Sequence, residues 1–186
     1  MEPWMWTVII VAFVLVIGLV AWVMTRRSRT DDLRRSFGPE YDVALSEADT
    51  RREAESELQA RRERREQLQI HALTPEARDR FSSAWRETQA RFVDSPRVAL
   101  AEADLLVLDL MRERGYPAAD FEQRSADVSV DHPDVVRNYR AAHAISMEAA
   151  SDDVDTERMR QGLVHFRALF DELLRDETIE ADRRVG

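Results

Sequence analysis

The feature that most constrains this chain is an uncharged apolar run close to its N-terminus. Residues 4–24 form 21 consecutive positions without a charged side chain. At about 1.5 Å per residue, a helix of that length is about 31 Å long, which matches a bilayer hydrocarbon core of about 30 Å. We therefore predict a transmembrane helix that contacts the lipid bilayer through residues 4–24.

The residues around this run predict how the helix is held and which way it points. Tryptophans stand at both of its ends, where indole rings favour the headgroup boundary, and arginines follow it while none precedes it. The positive-inside rule then places the N-terminus outside and the C-terminal domain in the cytoplasm of a single-pass inner or plasma membrane protein. A cleaved secretory signal is disfavoured, because such signals have a basic region before the apolar run. The predicted anchor residues are Trp4, Trp6, Trp22, Arg26, Arg27 and Arg29.

The segment that follows is rich in charge and poor in large apolar side chains. Between Arg26 and Glu66 there are 11 arginines and 11 acidic residues. Gly38-Pro39 marks a turn, and the residues from 43 to 69 are helix formers throughout. Leucines are too sparse here for heptads, so no coiled coil is expected. We predict an anchor with a basic flank over residues 1–30 and a solvated, charged helical linker or stalk over residues 31–73.

Residues 74–175 carry the signals of a helical bundle. Thr74-Pro75 and Ser95-Pro96 are helix starts, and Gly115 with Pro117 is a helix stop. Apolar residues recur at spacings of three and four, and no alternating strand pattern appears. The fold class is therefore predicted to be all-α: a transmembrane helix, a charged stalk and a C-terminal bundle of about four main helices. A short polar helix is expected over residues 118–127, and a flexible tail over residues 176–186.

Two helices of this bundle have apolar faces that can be predicted residue by residue. The last helix has a regular stripe, whereas residues 105–111 are apolar nearly all round, which predicts a central helix covered on most sides. The predicted core face of the central helix is Val98, Ala101, Leu105, Leu108 and Met111, and that of the last helix is Met159, Leu163, Phe166, Phe170 and Leu173.

Composition excludes several kinds of chemistry. The chain has no cysteine and no lysine, so it has no disulfide, cysteine zinc site, cysteine nucleophile or phosphate-binding Walker loop. Residues 67–186 contain 16 arginines and 24 acidic residues, a net charge of −8 that disfavours a nucleic-acid partner. From the residues alone we predict no catalytic residue, no cofactor and no metal ion.

Two alternatives remain beside a binding function. A metal-dependent or hydrolytic enzyme would use His132, His143 and His165, although the Glu-x-x-His pattern of di-iron bundles is absent. A self-assembling structural membrane protein, present as a homo-oligomer, would use apolar residues beside the stripe of the last helix. Those residues are Val164, Leu169 and Leu174.

Residues 114–143 hold the most distinctive segments of the chain. These are RGYP, DFEQR, SVDHP and NYRAAH, together with FGPEYD at 37–42 and HFRALF at 165–170. With these segments the chain resembles a family of uncharacterised bacterial proteins with one N-terminal transmembrane helix. The resemblance covers nearly the whole chain after the anchor, and it implies a bacterial membrane location but no activity, ligand or catalytic residue.

Aromatic and arginine side chains concentrate in the same stretch. Tyrosine and arginine are over-represented at binding hot spots, so a partner-binding surface is predicted here. The competing interpretation is structural, with aromatic rings closing the end of the bundle and Arg124 pairing with an aspartate such as Asp131. The protein is thus predicted to be a membrane-tethered interaction or scaffolding module for an unknown protein partner. Its predicted partner-binding residues are Tyr116, Phe121, Arg124, Tyr139, Arg140 and His143.

Overall fold

The computed structural model describes Phe13, Ile17 and residues 30–151 and 154–175, and this part of the chain is helical without a strand. The predicted all-α class is thereby confirmed for these residues. After a helical stretch at 30–37, the helices are α1 (Pro39–Glu47), α2 (Arg51–Glu66), α3 (Pro75–Arg91), α4 (Pro96–Glu113), α5 (Phe121–Asp131), α6 (Val136–Ser151) and α7 (Thr156–Leu174).

Both ends of the chain hold predictions that the structure does not reach. The predicted membrane helix lies outside the described residues except for Phe13 and Ile17, and the predicted tail at 176–186 lies outside them as well. Within residues 30–151 and 154–175, no helix is both long and apolar enough to span a bilayer.

The chain divides into two compact units between Leu58 and Gln59. In the first unit, most of the large apolar residues of the predicted stalk are buried, and Val43 and Leu45 are half-buried, so the prediction of a solvated stalk is wrong here. Glu55 joins two parts of this unit, because its carboxylate accepts hydrogen bonds from Thr30 Oγ1 and Tyr41 Oη, both at 2.9 Å. The buried residues of the unit are Leu33, Phe37, Glu40, Tyr41, Ala44, Ala54 and Leu58.

Helix starts follow the predicted capping signals. Gly38 has a φ of 47°, and α1 begins at Pro39 directly after it. Thr74 caps α3 by accepting a hydrogen bond from the amide of Ala77, and Asp155 caps α7 in the same way. One boundary differs from prediction: the short polar helix is α5, which Asp120 caps and which runs on through the Val-Ser-Val sequence to Asp131.

The second unit is a bundle of four long helices, α3, α4, α6 and α7, with the short α5 lying against α6. Helix α4 packs against α3, α6 and α7, so its predicted central position is confirmed. The predicted stripe of α7 is buried throughout, and Phe170 on this stripe stacks on Trp85 of α3 with ring centroids 4.5 Å apart. Leu169 is fully buried as well, so it belongs to the core and offers nothing to self-assembly.

The core face of α4 differs from the predicted one. The face that packs on the neighbouring helices is Ala99, Leu100, Ala103, Val107, Leu110 and Met111, so of the predicted residues only Met111 is in the core. Small residues on this face allow close helix approach, and Gly162 of α7 crosses here. A Cβ atom added at Gly162 would lie 2.9 Å from Leu100 Cδ1 and 3.0 Å from Ile145 Cγ2.

Candidate functional site

Residues 114–143 form a network of polar and aromatic contacts within the second unit. Tyr116 is buried and donates a hydrogen bond from its hydroxyl to Asp131 Oδ2 at 2.8 Å, and Arg65 of α2 pairs with the same carboxylate. Burial, reinforced by the Asp131 carboxylate, raises the pKa of Tyr116. Asp127, one turn earlier on α5, accepts a hydrogen bond from Gln123 Nε2 at 2.7 Å. Of these contacts, the Arg65–Asp131 pair links α5 to the end of α2.

A buried arginine fixes the C-terminal end of α7. Arg114 follows α4, is fully buried, and donates from Nη1 to the backbone carbonyl of Leu173 at 2.7 Å. Because that carbonyl belongs to the last turn of α7, it has no partner within its own helix. The guanidinium supplies a charged donor at the negative end of the helix dipole.

The second half of the stretch forms an aromatic stack. The ring of Phe121 lies on the imidazole of His143, with centroids 3.8 Å apart and planes 11° apart. Tyr139 lies beside them at 5.1 Å from Phe121, and its hydroxyl accepts a hydrogen bond from Arg124 Nε at 3.2 Å. His143 Nδ1 lies 3.8 Å from Asp104 Oδ2 of α4, and burial raises the pKa of that carboxyl group.

The structure therefore brings together four of the six predicted partner-binding residues: Phe121, Arg124, Tyr139 and His143. Not all six lie on the surface. Tyr116 and Tyr139 are buried, so neither ring is available to a partner. Phe121, Arg124, Arg140 and His143 are half-buried. Asp131 pairs with Arg65 and Tyr116, so the predicted pairing of Arg124 with that aspartate is wrong. In the described part of the chain, this stretch mainly holds α5 and α6 in place.

The three histidines of the enzyme alternative have separate partners. His132 Nδ1 lies 3.4 Å from Glu172, His143 stacks on Phe121, and His165 Nδ1 lies 3.0 Å from Asn138 Oδ1. Among residues 30–151 and 154–175, no group of three or more histidine or acidic side chains is arranged to hold a metal ion.

His132 gives a pH-dependent prediction. Burial lowers the pKa of His132, and the neighbouring Asp131 and Glu172 carboxylates only partly oppose this shift. The unfolded chain, with a histidine pKa of about 6.5, then binds more protons than the folded chain as the pH falls. We expect stability to decrease as the pH falls below about 6.5.

His132→Gln should weaken this decrease, as followed by urea unfolding of the full chain in detergent between pH 7 and 5. The matched control is His71→Gln, because His71 is exposed. If wild type and His132→Gln lose stability with the same dependence on pH, His132 is not the group that causes the loss.

A second candidate site lies on the outer side of α4. Val98 and Leu105 are 50% and 61% exposed, and Ala101 is exposed between them. Leu108 is half-buried one turn further on. Together these four residues, which we call the outer stripe, have the three- and four-residue spacing of a coiled-coil seam.

Beside the outer stripe is a groove between α3 and α4. It consists of two adjoining depressions of about 540 and 270 Å³, which share Ala84, Leu106 and Asp109 as walls. An ion pair joins α3 to α4 at each end: Arg80 with Glu113 at 3.0 Å, and Arg91 with Glu102. Leu105 belongs both to this α3–α4 groove and to the outer stripe.

The sequence contained the stripe but not its orientation. Residues 105–111 are apolar on almost every side, so the periodicity of α4 alone assigns Val98, Ala101, Leu105 and Leu108 to the core. The groove is formed by residues of two helices and has no local sequence signal. No protein-family model, curated protein or solved structure matches this chain, so the resemblance to bacterial single-pass proteins stays a prediction.

Proposed function

We propose that this protein is a membrane-anchored docking module that binds a helical segment of a partner chain along α4. The observation that carries the proposal is the exposure of Leu105 and Val98, which lie seven residues apart on one face of an 18-residue helix. Exposed single apolar residues are ordinary on protein surfaces, whereas an exposed stripe next to a groove is typical of an interaction surface.

A helix is the partner element that suits this surface. Side chains spaced by three and four residues form a ridge that meets a second helix along several turns. The α3–α4 groove beside the ridge has an apolar floor of Phe81, Ala84 and Leu106. Its ion-paired ends place polar groups around an apolar centre, which is the usual anatomy of a protein–protein interface.

Membrane tethering is part of the proposal and rests on the sequence. The uncharged run at 4–24, the tryptophans at its ends and the arginines after it support an anchor with the C-terminal domain in the cytoplasm. Phe13 and Ile17, four positions apart in this run, are 65% and 52% exposed. Such an anchor would hold the docking surface next to a membrane.

Leu105→Glu tests the docking function. Burying a leucine in an interface contributes about 1.5–3 kcal/mol, and a buried carboxylate without a partner adds a penalty, so binding should weaken by at least roughly tenfold. The measurement is the mass of the complex that carries the full chain after extraction from its own membrane with mild detergent.

The matched control is Val164→Glu, because Val164 is 52% exposed on α7 and lies outside the docking surface. Both variants should keep the helical content and thermal unfolding of the wild type. The proposal is wrong if the complex of Leu105→Glu has the same mass and stability as that of the wild type.

A further inference from the structure

We infer that the helix bound along the outer stripe is α4 of a second copy of this chain, packed antiparallel to the first. This inference rests on the proposed docking function and names the partner of the same surface. The partner must present an apolar ridge with coiled-coil spacing, and α4 itself presents such a ridge. A surface that binds its own copy about a two-fold axis is the commonest arrangement of protein dimers.

Side-chain size favours the antiparallel arrangement. With the axis near Ala103, Val98 lies opposite Leu108 of the second copy, and Ala101 lies opposite Leu105 of the second copy. Every small side chain then faces a larger one, as close packing of facing layers requires. A parallel pair would instead place Ala101 against Ala101 and leave a gap between the leucines. Antiparallel helix dipoles also attract each other.

The charges beside the stripe are compatible with self-association. Glu102, next to the axis, would approach Glu102 of the second copy, but each has its own Arg91 in an ion pair. Asp109 is paired with Arg112 at 3.0 Å in the same way. These four groups sum to zero charge on that flank of the outer stripe. Asp104, on the other flank, lies against His143 within its own copy.

The size of the interface indicates where dimerisation occurs. A seam of one helix from each copy lies at or below the lower end of the roughly 1,200–2,000 Å² that stable complexes bury. Copies held in one membrane have a high effective concentration, which strengthens a weak contact. A two-fold axis along the membrane normal keeps the N-terminal segments of both copies on the same side.

Disulfide crosslinking in isolated membranes tests this inference, because the chain has no cysteine of its own. A full-length chain with Ala101→Cys and a differently tagged full-length chain with Leu105→Cys are produced together and oxidised. The antiparallel pair places these two positions within disulfide reach, so the mixed dimer should form. Either cysteine variant produced alone should form much less crosslinked dimer than the two produced together.

The matched control is a mixture of Met147→Cys and Val164→Cys, whose parent residues are 59% and 52% exposed away from α4. A mixed crosslink no stronger than this control overturns the inference, and so does a crosslink that Leu105→Cys forms equally well alone. If Leu105→Glu still breaks the native complex in that case, the partner is a different protein and the docking function stands. If Leu105→Glu also has no effect, the docking function itself fails.

Discussion

Gly115→Ala is expected to lower the free energy of unfolding by at least roughly 2 kcal/mol, because alanine is strained in the backbone conformation of this position. Gly115 has a φ of 97°, a conformation that L side chains rarely adopt. An added Cβ atom would also collide with the backbone carbonyl of Gln69, in a connection whose His71 amide donates to the carbonyl of Arg114 at 3.0 Å. Because the backbone of Gln69 and that of Gly115 meet at this point, neither can move away as easily as the end of a side chain.

Gly162→Ala is the matched control for this prediction. The atoms that its Cβ would meet are Leu100 Cδ1, Ile145 Cγ2 and Ile145 Cβ, which belong to side chains and not to the backbone. Alanine also gains about 1 kcal/mol of helix propensity over glycine, so the net loss should be smaller than at Gly115. Urea unfolding of the full chain in detergent measures both, and equal losses would contradict the close approach at Gln69.

Arg114→Met is expected to cost roughly 2–4 kcal/mol, because it removes a charged hydrogen bond and leaves the buried carbonyl of Leu173 without its donor. Methionine keeps much of the volume, so the effect reports the lost hydrogen bond more than a cavity. Amide exchange in the last turn of α7 should accelerate more than in α3.

Arg112→Met is the control, since the Arg112 side chain is 58% exposed and should change stability by no more than about 0.5 kcal/mol. If Arg114→Met is as mild as Arg112→Met, the buried guanidinium does not hold the end of α7.

The helices of the bundle could be predicted from the sequence because each has its own local signals. Thr74 and Asp155 are capping residues at the predicted starts, and the stripe of α7 alternates with arginines on its solvent side. In α4 the spacing of apolar residues predicted the wrong core face, because apolar residues occur on almost every side of this helix. Tertiary packing selected the face with Ala99 and Ala103, which lets α7 approach closely at Gly162.

The candidate sites were less predictable than the fold. Tyr116 and Tyr139 have the composition of a binding surface, but their hydroxyl groups find partners in Asp131 and Arg124, which allows both rings to be buried. The α3–α4 groove joins residues of two helices, and its paired ends are 11 and 33 positions apart in the chain, so no local pattern marks it. The stalk was predicted to be solvated because its apolar residues are sparse, yet Leu33, Phe37 and Leu58 are buried in the first unit.

The proposed docking surface of α4 runs along Val98, Ala101, Leu105 and Leu108. A photo-reactive amino acid at Leu105 of the full chain, irradiated in the cells that produce it, tests this surface, with Val164 as the matched position. We predict one discrete crosslinked product from position 105 and none from position 164. The product from position 105 should disappear when Ala101→Glu is added. Equal products from both positions, or no product from position 105, would contradict the account.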